Sequence, residues 1–201
     1  MTAIISPQGS DLDDRPPFPV RRWSLEEYHS LINQGMFEDE HVELLEGWIV
    51  PKMTRNPPHD ATVAVVDDLL RPMIGQTGHL RIQSALSLEE SEPEPDLAVV
   101  RGSARDYRQR HPGVGEILLV VEIADASLRK DRRKATIYAA AGIPVYWIVN
   151  LGEQQVEVYS DPDPTTQTYR QLSTWGMGTA VPVSFSERQA SLRVEEIFPQ
   201  D

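Results

Sequence analysis

Hydrophobic residues in this chain form short runs separated by polar segments that contain Gly and Pro. Residues 117–123 are apolar except for Glu122, and residues 145–149 form a second such run. Continuous β-branched runs of this length are typical of central strands covered on both faces. Between them, residues 129–141 carry a helical pattern that Gly142 ends. The pattern predicts two buried strands joined by a crossover helix.

Two further helices are predicted upstream. Ser24 and Glu27 form a capping box for a helix that ends near Gly35. A longer helix begins at Pro57 and is closed by glycines at positions 75 and 78. Its apolar residues recur every four positions, at Ala61, Val65, Leu69 and Met73.

Apolar or alternating runs predict the remaining strands. They cover residues 42–45, 48–50, 80–88, 95–100, 155–159, 169–172, 181–185 and 190–194. Helices and strands are mixed along the chain, which predicts an α/β (α+β) class with a mixed β-sheet flanked by helices.

Composition limits the possible classes of protein. The chain has 201 residues, of which 40% are hydrophobic and 25% charged, so we expect one domain over residues 21–201, with its short C-terminal strands packed on the core. Residues 1–20 contain four prolines and are expected to form a flexible arm. The absence of cysteine excludes disulfides and thiolate metal sites. No signal peptide or membrane span is recognisable, and we expect a cytoplasmic protein without a membrane partner.

The net charge of −12 disfavours sequence-independent binding of nucleic acid over most of the surface. Two local basic clusters remain candidates for a DNA contact. One covers residues 129–134, and the other contains Arg101, Arg105, Arg108 and Arg110. Each cluster is equally compatible with a solvated helix face or loop.

Three carboxylates enter strand-like segments. Glu122 lies inside 117–123, Asp96 begins 97–100, and Glu43 lies inside 42–45. A buried, unpaired carboxylate costs several kcal/mol, so we expect the three to converge on a shared divalent cation. Carboxylate oxygens suit Mg²⁺ or Mn²⁺, and the backbone carbonyl of Ile123 is a candidate additional ligand.

Structural alternatives stay open for these acids. Glu122 can be satisfied by backbone amides or an arginine, and Asp96 can be a turn residue after a proline. Glu43 can face solvent. A run of acids over residues 89–94 is expected to be a solvated loop.

The helix over residues 129–141 supplies the nearest candidate cation. Position 124, on the same strand face as the acid, is alanine, so Lys134 is the nearest ammonium. Lys130 lies one turn before it and Tyr138 one turn after it. Asp131 is placed to orient Lys134. The alternative is a surface lysine on a basic helix turn.

Taken in order, these residues resemble a known family, Uma2, which belongs to the PD-(D/E)xK nuclease superfamily. The resemblance covers about residues 22 to 160. It is carried by Val-Glu-Leu-Leu-Glu-Gly (42–47), Pro58-His59, Pro95-Asp96, Val121-Glu122-Ile123, Asp131-Arg132-Arg133-Lys134, Tyr138 and Ala-Gly-Ile-Pro-Val-Tyr-Trp-Ile-Val (141–149).

The resemblance implies a restriction-endonuclease-like fold and Mg²⁺-dependent hydrolysis of phosphodiester bonds in DNA. It implies that Asp96 and Glu122 bind the metal and that Glu43 is an auxiliary acid. Lys134 corresponds to the superfamily lysine, which normally follows the acid by two residues. His59 is implied to lie near the site. Because cutting two strands commonly uses two copies of one site, we also expect a homodimer.

Two other functions remain in view. A catalytically degenerate protein of this fold would act as a protein-interaction module, which the acidic charge and the alanine at position 124 favour. A metal-dependent phosphodiesterase would act on a nucleotide rather than on a polymer.

Overall fold

A computed structural model describes residues 19–75, 78–185 and 188–198. The helices of these segments are α1 (Leu25–Asn33), α2 (Pro57–Ile74), α3 (Leu128–Ala140) and α4 (Val194–Ile197). The strands are β1 (Val42–Leu45), β2 (Trp48–Pro51), β3 (Gly78–Ile82), β4 (Leu97–Arg101), β5 (Ile117–Ala124), β6 (Val145–Asn150), β7 (Gln155–Asp163), β8 (Thr168–Gly176), β9 (Ala180–Phe185) and β10 (Arg188–Arg193).

The central sheet is mixed. Among the described residues it contains six strands in the order β3-β4-β5-β6-β7-β8. β5 and β6 are parallel and are joined by α3, whereas the other neighbouring strands are antiparallel. The hairpins β1-β2 and β9-β10 are separate from this sheet. The predicted mixed β-sheet flanked by helices is confirmed.

The two faces of the sheet are covered by different helices. On β5, Leu119, Val121 and Ile123 pack in a core that includes residues of α2. Val120 and Ala124 belong to the core under α3. Because side chains alternate along a strand, Glu122 lies on the α3 face between these two residues. The sheet therefore directs this acid toward the helix that carries Lys134.

Helix α2 buries a different stripe from the predicted one. Asn56 caps its first turn, and the buried apolar residues are Val63, Val66, Leu70 and Ile74. The predicted residues Leu69 and Met73 lie at the margin of this core and are only partly buried. The spacing was therefore correct, but the face is rotated by about one residue.

The predicted strand over residues 80–88 is wrong beyond Ile82. Gln83 has φ of 45°, and the chain then leaves the sheet. Leu86 and Leu88 are buried as the alternation suggests. Their backbone N–H groups donate to the carbonyls of Pro93 and Ser91, so the segment closes on itself.

The predicted arm over residues 1–20 lies outside the described residues, apart from Pro19 and Val20. Among the described helices, none combines the length and the hydropathy needed to cross a bilayer.

Candidate active site

Asp96 lies directly before β4, beside β5. Its Oδ2 accepts a hydrogen bond from the N–H of Ile123 at 2.9 Å and lies 3.1 Å from Nε2 of His59. Burial raises the pKa of Asp96, but the hydrogen bonds from His59 and Ile123 outweigh this effect and hold the pKa below its usual value. The carboxylate is therefore ionised at neutral pH.

Glu122 approaches Asp96 across the strand pair. Its Oε2 accepts a hydrogen bond from the N–H of Asp96 at 3.4 Å. Its Oε1 lies 2.9 Å from Nζ of Lys134 and 3.3 Å from the hydroxyl of Tyr138. Burial raises the pKa of Glu122 to about 8, against the opposing effect of the Lys134 ammonium. An additional cation here would favour the ionised carboxylate.

Lys134 bridges two acids. Its Nζ lies 2.9 Å from Oε1 of Glu122 and 2.9 Å from Oε2 of Glu43. Desolvation lowers the pKa of Lys134, but Glu122 and Glu43 outweigh it and raise the pKa above its usual value. Lys134 is buried and Glu43 is fully buried. The alternatives of a surface lysine and a solvent-facing Glu43 are therefore wrong.

A second lysine supports Glu43. Nζ of Lys130 lies 2.8 Å from Oε1 of Glu43, and its side chain is 23% exposed. Burial raises the pKa of Glu43, but Lys134 and Lys130 outweigh the burial and lower it. In this turn of α3, the side chain of Lys134 is therefore buried, whereas the side chain of Lys130 lies at the rim of the site.

His59 lies in the first turn of α2, where its N–H donates to the side chain of Asn56. Nε2 faces Asp96, and Nδ1 lies 3.3 Å from Oδ1 of Asp60. The hydrogen bond to Asp96 raises the pKa of His59. The structure therefore places this predicted residue against the first carboxylate.

Asp131 has a different partner from the expected one. Its Oδ2 accepts a hydrogen bond from Oγ of Ser127 at 2.5 Å, while Glu43 and Glu122 contact the lysine that we expected it to orient. Burial raises the pKa of Asp131 to about 6. Asp131 still lines the cleft, through the first turn of α3.

The cleft between these groups has a volume of about 60 Å³. Sequence reasoning missed several of its residues, among them Lys52 and Glu94. The N–H of Glu94 donates to Oε2 of Glu43 at 3.2 Å, and Nζ of Lys52 lies 3.0 Å from both the carbonyl and Oε2 of Glu94. The available signal was the Pro-Glu-Pro sequence at 93–95, which restricts the backbone on both sides of Glu94.

The acidic segment over residues 89–94 is only partly a solvated loop. Ser91 and Glu92 are buried, and Glu92 forms a bridge with Leu44 of β1. The prediction of a solvated loop is wrong for this half of the segment, because it packs along the first hairpin.

The donor chemistry fits Mg²⁺. Asp96 and Glu122 present hard oxygen donors in one cleft. Within the described residues, no group of three or more His, Asp or Glu side chains is already arranged around a metal position. Mg²⁺ commonly uses only one or two carboxylates, with water and substrate phosphate as its other ligands. Ile123 meets Asp96 through its N–H, and a role for its carbonyl as ligand stays a prediction.

Comparison with known families agrees with this arrangement. Residues 25–200 match the profile of Uma2, whose members are described as "putative restriction endonuclease". The chain belongs to the Uma2 family. The match includes every residue assigned above to the cleft, so the resemblance noted in the sequence is confirmed.

A solved structure shares the fold of this Uma2 protein. It is a crystal structure described as "a putative nuclease belonging to DUF820" from Anabaena variabilis ATCC 29413. The TM-score is 0.63 at 20% identity, over 90% of this chain and 98% of that chain. No curated protein matches the sequence.

Proposed function

We propose that this Uma2 protein is a Mg²⁺-dependent endonuclease that hydrolyses phosphodiester bonds in DNA. The observation that carries the proposal is the pairing of Asp96 with Glu122 beside the buried ammonium of Lys134. Family membership supports a nuclease in general. The metal, the DNA substrate and the roles of individual residues are the proposed parts.

Asp96 and Glu122 would hold the metal. A bound Mg²⁺ supplies Lewis-acid polarisation of a phosphate oxygen and acidifies water. The protein's own contribution is orientation. Ile123 and His59 hold Oδ2 of Asp96, and the hydroxyl of Tyr138 holds Oε1 of Glu122. Such supporting hydrogen bonds commonly change metal affinity or activity by about 10- to 100-fold.

Lys134 would stabilise negative charge that develops on the phosphate. Its position between Glu122 and Glu43 is set before substrate binds, so little reorganisation is needed during the reaction. It supplies from α3 the charge that an alanine at position 124 cannot supply from β5. Glu43 acts as a positioning residue for Lys134, and Lys130 keeps Glu43 ionised.

Cleavage assays with matched variants test the proposal. Supercoiled, linear double-stranded and single-stranded DNA would be incubated with Mg²⁺ or Mn²⁺. We expect cleavage by the wild type, and none by Asp96→Asn or Glu122→Gln. Lys134→Met should lower the rate by about 10²- to 10³-fold. Arg170→Gln changes an exposed residue of β8 that pairs with Asp161 and Asp163, and should behave as wild type. A folded wild type without activity on any DNA form would refute the proposal.

A non-catalytic interaction module is the second candidate. Lys134 already pairs with Glu122 and Glu43 without a metal, and the net charge of −12 disfavours DNA over most of the surface. This candidate predicts neither metal binding nor cleavage, together with a protein partner that is retained equally by Glu122→Gln.

The proposal includes a single domain over residues 21–201, a homodimer and a cytoplasmic location. A twofold dimer would place one site on each DNA strand. Light scattering on the purified chain, which gives the mass of the assembly directly, tests the dimer. Limited proteolysis that leaves one resistant core tests the domain.

A further inference from the structure

A polar groove of about 1020 Å³ lies next to the catalytic cleft. Glu94 lines both cavities, so the groove and the cleft are adjacent. One wall comes from the C-terminal half of α1 and the other from residues 107–113. The basic side chains along it are Arg81, Arg108 and Arg110.

Arg81 lines this groove and has an unpaired nitrogen in its guanidinium. It lies on β3, and its Nε is buried without a hydrogen-bond partner. In the described part of the chain, no acidic side chain forms an ion pair with its guanidinium. Burial lowers the pKa of Arg81 below its usual value, which reflects the lost hydration. A buried donor left without a partner is energetically unfavourable, so an anionic ligand would remove a penalty present in the free protein.

Tyr107 holds two guanidinium groups in place. The carbon of the Arg81 guanidinium lies 5.6 Å from the ring centroid, and that of Arg110 lies 5.2 Å away. The hydroxyl of Tyr107 donates to the carbonyl of Arg101, which fixes the ring. Arg110 is also held by Glu116 through two contacts of 2.6 Å. The cations are thus preorganised, which lowers the entropy cost of binding a ligand.

The acids of the groove have partners of their own. Glu92 lies 2.8 Å from Nε2 of His29, and Oε2 of Glu94 lies 3.0 Å from Nζ of Lys52. Arg81 and Arg108 therefore leave an excess of positive charge in a chain whose net charge is −12. This local reversal of sign is the electrostatic pattern that attracts phosphates.

We propose that this groove binds the sugar-phosphate backbone of a nucleic-acid strand adjacent to the scissile bond, with Arg81 as the main phosphate ligand. The inference rests on the proposed nuclease function for the identity of the polymer. An arginine fork can contact a phosphate through two N–H groups, which the ammonium of a lysine cannot do. The groove would fix where the strand enters the cleft.

Fluorescence anisotropy tests the groove separately from catalysis. Labelled single- and double-stranded oligonucleotides would be titrated with full-length protein in EDTA, at several salt concentrations. Arg81→Gln should weaken binding at least about tenfold and reduce the salt slope by about 0.7–0.9, the contribution of one phosphate contact. Arg81→Lys should restore the slope but only part of the affinity.

The control is Arg170→Gln, which removes the same charge from the opposite edge strand of the sheet and should leave affinity within about twofold. Circular dichroism would verify folding. Arg108→Gln provides a second test, because Arg108 is exposed in the groove and its loss should weaken binding about threefold without affecting the core.

The outcomes separate the groove from the catalytic proposal. Binding that depends on the arginines, without any cleavage in Mg²⁺, would support nucleic-acid binding in the groove and refute the proposed nuclease activity. Cleavage by wild type, with an unchanged KM in Arg81→Gln and Arg108→Gln, would refute nucleic-acid binding in the groove but not the nuclease activity. Absence of binding by wild type to both oligonucleotides would also overturn the groove.

Discussion

Replacing Lys134 by methionine should destabilise the metal-free protein, because the ammonium is the shared partner of two buried acids. Its side chain is 5% exposed, those of Glu122 and Glu43 are 7% and 0% exposed, and both contacts are 2.9 Å. Methionine has a similar length and fills the same space. The loss therefore reports mainly on charge rather than on a cavity.

The expected magnitude is about 3 kcal/mol. Removing one partner of a buried ion pair typically costs about 3–5 kcal/mol. Glu43 keeps Lys130 at 2.8 Å, so the acid left without a cation is Glu122. Because the pKa of Glu122 is already raised to about 8, this carboxyl is mostly protonated at pH 7 even with the lysine present, so the expected cost lies at the lower end of this range. For a urea slope of about 2 kcal/mol/M, the midpoint should fall by about 1.5 M.

Urea denaturation in EDTA measures the effect. Lys134→Met with Glu122→Gln should recover most of the lost free energy, since an amide, unlike the carboxyl of Glu122, needs no proton uptake when it becomes buried. Lys130→Met is the matched control. This lysine is 23% exposed and pairs with Glu43 at the edge of the cleft, so its loss should cost about 1 kcal/mol. If Lys134→Met lowers the free energy of unfolding by less than about 1 kcal/mol, or if the double variant recovers nothing, the ammonium of Lys134 does not stabilise the two buried acids.

The cost of Lys134→Met should also depend on pH, and the pKa of Glu122 gives the direction of that dependence. An acid with a raised folded-state pKa binds more protons in the folded state, so it lowers stability as pH rises from its unfolded pKa to its folded pKa. In wild type this loss ends near pH 8, the pKa of Glu122. Without Lys134 the pKa of Glu122 in the folded protein is higher, so the loss of stability continues above pH 8. The cost of Lys134→Met should therefore be larger at pH 9 than at pH 7, and a smaller cost at pH 9 would contradict the assignment.

Further predictions separate structural groups from catalytic ones. Arg132→Ala leaves Glu157, which is 4% exposed, without its guanidinium partner. Urea denaturation should therefore show that the free energy of unfolding falls by about 2 kcal/mol. DNA cleavage at low temperature should be unchanged. Hydrogen bonds from Arg110 lower the pKa of Glu116 to about 2, so stabilisation by this pair should be lost as pH falls from 4.5 toward 2. The pair is partly exposed, so the difference between wild type and Glu116→Gln should stay below about 1 kcal/mol and vanish near pH 2. Glu43→Gln should lower kcat about tenfold, while calorimetry should show that the variant still binds Mn²⁺. Loss of Mn²⁺ binding in this variant would instead show that Glu43 is a metal ligand.

The sequence was sufficient to find the two principal acids, because their strands are so apolar that one carboxylate stands out. Glu122 interrupts an otherwise apolar run, and Asp96 begins another. The register of β4 with β5, in which Leu97 pairs with Val121, then brings the two acids together. Both strands follow from local sequence patterns, so both could be predicted from the sequence.

The contacts around Glu43 and Glu94 that sequence reasoning missed are non-local. The burial of Glu43 depends on α3 docking over the first hairpin, where a lysine 91 positions later reaches it. Lys52 and Glu94 are 42 residues apart. Leu86 and Leu88 alternate as in a strand, but their hydrogen-bond partners lie in the returning segment. Periodicity predicts which side chains are buried, whereas the backbone partner depends on tertiary packing.

We propose that Asp96 and Glu122 together bind the divalent cation that cleavage requires. Calorimetric titration of Mn²⁺ into wild type and into Asp96→Asn/Glu122→Gln tests it most directly, with and without a phosphorothioate oligonucleotide that resists hydrolysis. We expect saturable binding by wild type, tighter with the oligonucleotide, and loss of binding in the double variant although it remains folded. Equal binding by both proteins, or no binding by wild type under either condition, would contradict it.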